Sequence, residues 1–234
     1  MGSYAISLTS IPPRYDRLGP VLHSLLAQRP APWRVILCLP QHPARFDPAP
    51  LPALPEGVEI LRPARDDGPA TKALPAARAL AGRIDRLIYC DDDWIMPPDW
   101  AAGLLRGGAP HEAVAGAGFD VDRLKRRSHR PPDTTLCDIA QGYAGVLVRP
   151  GWLTGPDCTP TVEGWPVDDL WLSAQMARQG ISIRLSHTAR HGMRLAFADE
   201  HALQDAEIDG RRRHAANMAC VAQITARYGL WPPL

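Results

Sequence analysis

Three consecutive aspartates, Asp91, Asp92 and Asp93, follow an apolar run at residues 87–90. If that run is a β-strand, Asp91 and Asp93 face one way and Asp92 faces the other. Two carboxylates about 4 Å apart repel each other by about 4 kcal/mol at an effective dielectric constant near 20. A divalent metal relieves that repulsion, because hard cations prefer carboxylate oxygens and often share their shell with substrate phosphates. The triplet therefore predicts a metal site, and a turn or helix cap before Pro97 is the alternative.

The segments around the triplet alternate between strand-like and helix-like patterns. Strands are predicted at residues 5–8, 35–39, 58–61 and 86–90, and helices at 17–28 (capped by Asp16) and 70–81. Such alternation is typical of a mainly parallel sheet with helices on both faces. Ligands of these sheets bind beyond the carboxyl ends of the strands. The loops 9–14, 65–68 and 91–93 are therefore expected to meet in one crevice.

The second half of the chain has a less regular pattern. Strands are predicted at 113–116, 143–148 and 181–185, helices at 98–105, 168–179 and 206–228, and a polar loop at 119–133. No internal repeat and no domain linker is evident. A single domain over residues 1–234 is therefore expected.

The composition is that of an ordinary globular protein, with 45% hydrophobic and 22% charged residues and a net charge of +1. Nothing in this balance favours nucleic acid as a partner. The five scattered cysteines show no metal-binding spacing and indicate a reducing compartment. We expect a cytoplasmic protein, with at most peripheral contact at the inner face of the membrane, because neither a signal peptide nor a spanning segment is seen.

Five segments carry a resemblance to a known family. They are 6–14 with 22–28, then 68–72, the Cys-Asp-Asp-Asp string at 90–93, 141–145 and 167–172. In this order they are similar to segments of bacterial nucleotide-sugar glycosyltransferases with the GT-A fold (family 2-like), in which the aspartate string is an Asp-x-Asp motif. The resemblance covers roughly residues 4–190, and five ordered segments are far more specific than one acidic string.

The resemblance implies an α/β fold of GT-A type, with a mainly parallel, Rossmann-like central sheet. Residues 1–118 would form a nucleotide-binding half, and residues 119–234 an acceptor-binding half. The implied activity is a metal-dependent, inverting transfer of a sugar from a nucleotide-sugar, most simply a UDP-sugar. The implied acceptor is a saccharide or lipid-linked hydroxyl in bacterial polysaccharide or glycolipid synthesis.

The resemblance also assigns the donor side of the site. Asp91 would contact the nucleoside, Asp92 would tune the nucleoside or the metal, and Asp93 would bind Mg²⁺ or Mn²⁺. His191, after the last predicted strand, would be a further metal ligand. The remaining residues expected to contact the donor are Thr9, Ile11, Pro12, Arg14, Asp67 and Lys72, although Arg14 and Lys72 also suit solvated surface positions.

On the acceptor side, Asp169 is the expected general base and Asp168 is the second choice. The alternative for one of them is capping of the predicted helix 168–179, where carboxylates are favoured by free N–H groups. Trp165, just before the pair, is the candidate for stacking against a sugar.

Two other functions fit part of the pattern. A non-catalytic nucleotide- or sugar-binding module would keep the nucleotide loops without needing Asp169. A nucleotidyltransferase would also use a doubly wound sheet and metal-binding carboxylates, but it predicts a glycine-rich loop after the first strand. The loop at residues 9–14 contains no glycine, which argues against that function.

Overall fold

The computed structural model describes residues 3–130, 133–197 and 212–234, and its central element is an eight-stranded sheet. The strands of these residues are β1 (Tyr4–Thr9), β2 (Arg34–Cys38), β3 (Val58–Leu61), β4 (Arg86–Cys90), β5 (Trp94–Ile95), β6 (Glu112–Ala115), β7 (Gly118–Phe119), β8 (Leu136–Cys137), β9 (Ile139–Ala140), β10 (Val146–Val148), β11 (Ser182–Leu185) and β12 (Arg194–Leu195). The α-helices are α1 (Gly19–Leu26), α2 (Leu74–Leu80), α3 (Trp100–Leu105), α4 (Asp168–Ala177) and α5 (Arg213–Tyr228).

The order of strands in the main sheet is β3-β2-β1-β4-β10-β6-β11-β8. The pairs β2–β3, β1–β2, β1–β4 and β6–β11 are parallel, whereas β10 is antiparallel to both of its neighbours and β8 is antiparallel to β11. Six strands therefore share one direction, and β8 and β10 run against it. The predicted α/β class with a mainly parallel sheet is confirmed.

Both faces of the sheet are buried, as the continuous apolar runs of its strands require. On one face, α1 and α3 pack against the sheet with buried side chains such as Leu22 and Trp100. On the other face, α2 and α4 contribute Leu74, Leu172 and other buried residues. A third cluster lies between α4 and α5 and includes the fully buried Trp171. The predicted helices on both faces are confirmed.

Several predicted elements begin at other residues in the structure; for example, the helix predicted from residue 70 begins at Leu74, after a 3₁₀ turn at Gly68–Lys72. Asp16 does not cap the first helix, because residues Pro12–Arg17 form a 3₁₀ turn and α1 begins at Gly19, with Leu18 at its N-cap. Proline in the first turn starts α1 instead, since its fixed φ suits that position. The strand predicted at 143–148 begins only at Val146, because Gly142–Ala144 form another 3₁₀ turn.

The C-terminal helix predicted at 206–228 is observed from Arg213 onward, and residues 206–211 lie outside the described part of the chain. Each of the five cysteines is a buried free thiol. Within the described residues, no helix combines the length and apolar character that a membrane span requires.

Candidate active site

A cavity of about 550 Å³ opens at the carboxyl edge of the parallel strands. This volume lies within the range of small-molecule sites. The loops after β1, β2, β3 and β4 line it, and so do the segment before β10 and the start of α4. Its walls include Thr9, Ser10, Ile11, Pro12, Arg14, Arg45, Phe46, Asp66, Gly68, Lys72, Asp91, Asp92, Asp93, Trp94, Gln141, Tyr143, Trp165, Asp168, Asp169, Arg190 and Arg213. The crevice expected from the strand-end loops is therefore present.

Ten of the twelve residues assigned from the sequence line this cavity. They are Thr9, Ile11, Pro12, Arg14, Lys72, Asp91, Asp92, Asp93, Asp168 and Asp169. Asp67 is not among the lining residues: it is buried next to them and forms ion pairs with Arg65 (2.9 Å) and Arg78 (3.4 Å). His191 is exposed and lies outside the lining residues.

The three aspartates directly follow β4, with a bend at Asp92 and Asp93, and each has a different environment. The Asp91 carboxylate contacts the Lys72 ammonium group. Asp92 is buried, accepts a hydrogen bond from the Ser10 hydroxyl group and pairs with Arg14 at 2.5 Å. Asp92 therefore holds the loop after β1 in place.

Asp93 has the environment expected of a cation ligand. Its Oδ1 atom is buried and has no hydrogen-bond partner among the described residues. Burial and the negative charges of Asp91 and Asp92 raise the pKa of Asp93 to about 7. A hard cation would satisfy this oxygen and stabilise its ionised form. Among the described residues, no group of three His, Cys, Asp or Glu side chains is arranged to hold a metal ion.

Asp168 and Asp169 occupy the first turn of α4, and their surroundings separate their roles. Neither caps the helix, because Val167 is the N-cap residue and no side-chain cap hydrogen bond forms. Asp168 is buried and pairs with Lys72 at 2.9 Å. Asp169 is only partly buried, and its Oδ1 atom accepts a hydrogen bond from the Gly142 N–H at 2.9 Å.

The pKa of Asp169 is raised to about 7, because burial and the neighbouring charge of Asp168 disfavour its ionised form. The cations Lys72 and Arg213 act in the opposite direction and lower this pKa. A carboxyl group of this pKa is suited to general-base chemistry near neutral pH.

Lys72 is more enclosed than a solvated surface charge would be. Its side chain is 3% exposed, and its ammonium group contacts both Asp91 and Asp168. Burial by itself would lower the pKa of Lys72, but the neighbouring carboxylates outweigh it and the pKa is raised. Lys72 is therefore a charged group held between two carboxylates in the wall of the cavity.

Trp165 closes the cavity on the side of the loop after β3. Its indole N–H donates a hydrogen bond to the main-chain oxygen of Asp66 (3.3 Å), and its ring packs directly against Gly68. Trp165 also lines the cavity, where a sugar ring or a nucleobase has access to it.

Several of the cavity-lining residues were not assigned to the site from the sequence. Arg45 and Phe46 belong to the loop after β2, and the strand-end rule could have included them. Tyr143 and Arg190 stack, with the guanidinium carbon 5.8 Å from the ring centroid, and Arg213 lies at the start of α5. Tyr143 lies in one of the segments that carry the family resemblance, whereas Arg190 and Arg213 come from distant segments that only the tertiary structure brings to the cavity.

Solved structures with the same fold include glucosyl-3-phosphoglycerate synthase from Mycobacterium tuberculosis in complex with Mg²⁺ and UDP. It has a TM-score of 0.56 and 13% sequence identity, over 98% of this chain and 80% of that chain. The same enzyme in complex with Mn²⁺, UDP-glucose and phosphoglyceric acid gives the same TM-score of 0.56, identity of 13% and coverage of 98% and 80%. A solved structure of a mycobacterial protein has a TM-score of 0.54 and 14% identity, over 98% of this chain and 75% of that chain.

No protein-family model matches this sequence, and no curated protein matches it either. At identities this low, the structural similarity establishes the fold. The described part of the chain thus has the mainly parallel α/β fold of GT-A-type glycosyltransferases.

Proposed function

We propose that this protein is a metal-dependent glycosyltransferase that moves a sugar from a UDP-sugar to an acceptor hydroxyl group. The observation that carries this proposal is the pair Asp93 and Asp169. Both carboxyl groups line one cavity at the ligand-binding edge of a GT-A-type sheet, and burial beside other carboxylates raises the pKa of each above its usual value. The similarity of the fold to a synthase solved with UDP and either Mg²⁺ or Mn²⁺ supports the choice of donor and cation.

The donor would bind across the loops after β1, β2, β3 and β4. Asp93 would hold Mg²⁺ or Mn²⁺ through its buried Oδ1 atom, and Arg14 and Arg45 would face the donor from the loops after β1 and β2. The metal, when bound, neutralises negative charge on the leaving diphosphate. The exposed position of His191 outside the cavity gives no support to its proposed role as a metal ligand.

The acceptor would enter on the side of α4. Asp169 would take the proton of the acceptor hydroxyl group while that oxygen attacks the anomeric carbon. The bond from this carbon to the diphosphate oxygen breaks, UDP leaves, and the configuration of the sugar inverts. Asp168 is held in its ion pair with Lys72, so Asp169 is the better base.

The division into a nucleotide-binding half (residues 1–118) and an acceptor-binding half (residues 119–234) is part of the proposal. Bacterial polysaccharide or glycolipid synthesis as the setting rests on the sequence resemblance alone.

A thermal-shift screen of UDP, GDP, CMP and dTDP, each with and without Mn²⁺, tests the donor side. A ligand at 100 times its dissociation constant adds about 2.7 kcal/mol of stability, or roughly 5–11 °C in Tm for a domain of this size. We expect the largest shift with UDP and Mn²⁺ together, and loss of its metal-dependent part in Asp93→Asn. The matched control is Asp85→Asn, an exposed aspartate outside the cavity. A shift that does not depend on metal contradicts the role of Asp93.

Release of UDP from UDP-sugars in the presence of Mn²⁺ tests the reaction, and NMR of the product tests its anomeric configuration. Binding of UDP without any turnover would indicate a non-catalytic module. Release of diphosphate from UTP and a sugar phosphate would indicate a nucleotidyltransferase. Either result overturns the proposed function, and retention of configuration overturns Asp169 as the base.

A further inference from the structure

Lys72 connects two parts of the site that come from distant parts of the chain. Its ammonium group contacts Asp91, just beyond β4, and lies 2.9 Å from Asp168 Oδ2, in the first turn of α4. Its own main chain is fixed to β1, because the Ser7 hydroxyl group donates a hydrogen bond of 2.6 Å to the Lys72 carbonyl oxygen. Lys72 therefore joins three elements, two through its ammonium group and one through its main chain.

Gly142 makes room for this cation. A Cβ atom at position 142 would lie 2.6 Å from Lys72 Nζ and 3.0 Å from Lys72 Cε. The Gly142 N–H group in turn donates to Asp169 Oδ1 at 2.9 Å. The close contact of Gly142 with Lys72 and its hydrogen bond to Asp169 thus bring the buried cation next to the proposed base.

We propose that Lys72 is a positioning residue that fastens the start of α4 to the end of β4 and thereby fixes Asp169 relative to the donor. This inference rests on the proposed function. In this role Lys72 acts through Asp91 and Asp168, and not through the direct donor contact that was expected from the sequence. Its near-complete burial and its two carboxylate partners support this role.

A role in stability alone would not require these residues. Replacing buried ion pairs by well-packed apolar side chains is often neutral or stabilising, so such pairs are weak evidence for a contribution to stability. Fixing geometry has a larger effect on a reaction, since a displacement of 1 Å can cost about 100-fold in rate. The charges of Asp91, Lys72 and Asp168 restrict the relative positions of β4 and α4 in a way that apolar contacts do not.

Gly142→Ala tests this inference, because it displaces the ammonium group while keeping its charge and the N–H donor to Asp169. Gly142 has no positive φ, so alanine suits its backbone. The matched control is Gly151→Ala, since a Cβ atom at Gly151 meets nothing within 4 Å. We expect kcat for UDP release to fall at least about 10-fold in Gly142→Ala, with the Kd of UDP unchanged. Gly151→Ala should match the wild type in both.

Lys72→Ala provides a second test through chemical rescue. Ethylammonium added to this variant should restore part of kcat, whereas ethanol at the same concentration should not, because only the cation can bridge Asp91 and Asp168. If Lys72→Ala does not fold, the Gly142→Ala result decides alone.

The outcomes separate this inference from the proposed function. A folded Gly142→Ala variant with wild-type kcat overturns the role of Lys72 and leaves the glycosyltransferase proposal intact. Weaker UDP binding with unchanged kcat also overturns it, because Lys72 would then act on the donor directly. A wild-type protein without turnover overturns the glycosyltransferase proposal itself.

Discussion

The main-chain N–H group of Gly142 donates a hydrogen bond to the Asp169 carboxylate at 2.9 Å, which leaves the rest of that carboxylate available to the cavity. Asp168, the preceding residue, is instead buried against Lys72. The two adjacent carboxylates in the first turn of α4 therefore have different roles. Substituting each of them should have different effects on activity and on stability.

Asp169→Asn should lower kcat by about 10²–10⁴-fold, the usual contribution of a general base, while leaving the affinity for UDP unchanged. Asp168→Asn should lower Tm, because it leaves the buried ammonium group of Lys72 with less compensating charge, and it should lower kcat less than Asp169→Asn does, because it loosens the start of α4 without removing the base. UDP release, UDP titration and thermal denaturation of both variants measure these effects. An Asp169→Asn variant with wild-type kcat would contradict the assigned base.

Asp93→Asn should stabilise the metal-free protein, and this advantage should grow between pH 5 and pH 8. The folded-state pKa of Asp93 is about 7, above the value of about 3.9 for an unfolded aspartate, so the folded state binds the extra proton over this interval. Wild-type stability therefore falls as the pH rises towards and through 7, whereas asparagine has no such dependence. Thermal denaturation at pH 5 and pH 8 in EDTA measures the difference. An equal Tm difference at both pH values would contradict the raised pKa.

In a plot of kcat against pH, Arg213→Gln should shift the rise on the acidic side to higher pH. The charged groups that act on Asp169 are Asp168, Asp91, Lys72 and Arg213, and the Arg213 cation lowers its pKa. Removing that cation raises the pKa, so the ionised base persists only at higher pH. The rate of UDP release as a function of pH measures the shift. Arg83→Gln, at an exposed position outside the cavity, is the control and should leave the profile unchanged.

Gly68→Ala should destabilise the protein and disturb the cavity wall formed by Trp165. Gly68 has φ +62°, and an added Cβ atom would lie 2.7 Å from the Trp165 ring. The backbone cost alone is about 1–2 kcal/mol, or roughly 2–8 °C in Tm. Gly82→Ala is the matched control, since Gly82 has φ +75° but a Cβ atom there meets nothing within 4 Å. If both variants lose the same Tm, the contact between Gly68 and Trp165 adds nothing to stability.

The parallel half of the sheet was predictable because its signals are local. Strands β3 and β4 begin and end where the apolar runs at 58–61 and 86–90 predict. Their carboxyl ends then indicated the edge at which the site lies. The direction of β10 was not predictable, because three apolar residues fit a parallel and an antiparallel strand equally well.

Within the site, the residue types were predictable and their partners were not. The burial of Lys72 depends on carboxylates at positions 91 and 168, far away in the sequence. The place of Arg213 beside Asp169 likewise depends on how α5 packs against α4. Local patterns contain no information about such pairings.

Strand β10 runs against its neighbours, so the segment before it, with Gln141 and Tyr143, reaches the same edge of the sheet as the ends of β1 and β4. This segment forms a wall of the cavity without belonging to any of the strand-end loops proposed to hold the donor. Substitutions at Gln141 and Tyr143 can therefore accumulate without altering the nucleotide loops, whereas Gly142 is constrained by its close approach to Lys72. For the proposed glycosyltransferase, such an arrangement would let one donor site acquire new acceptors in evolution by changes confined to a single short segment.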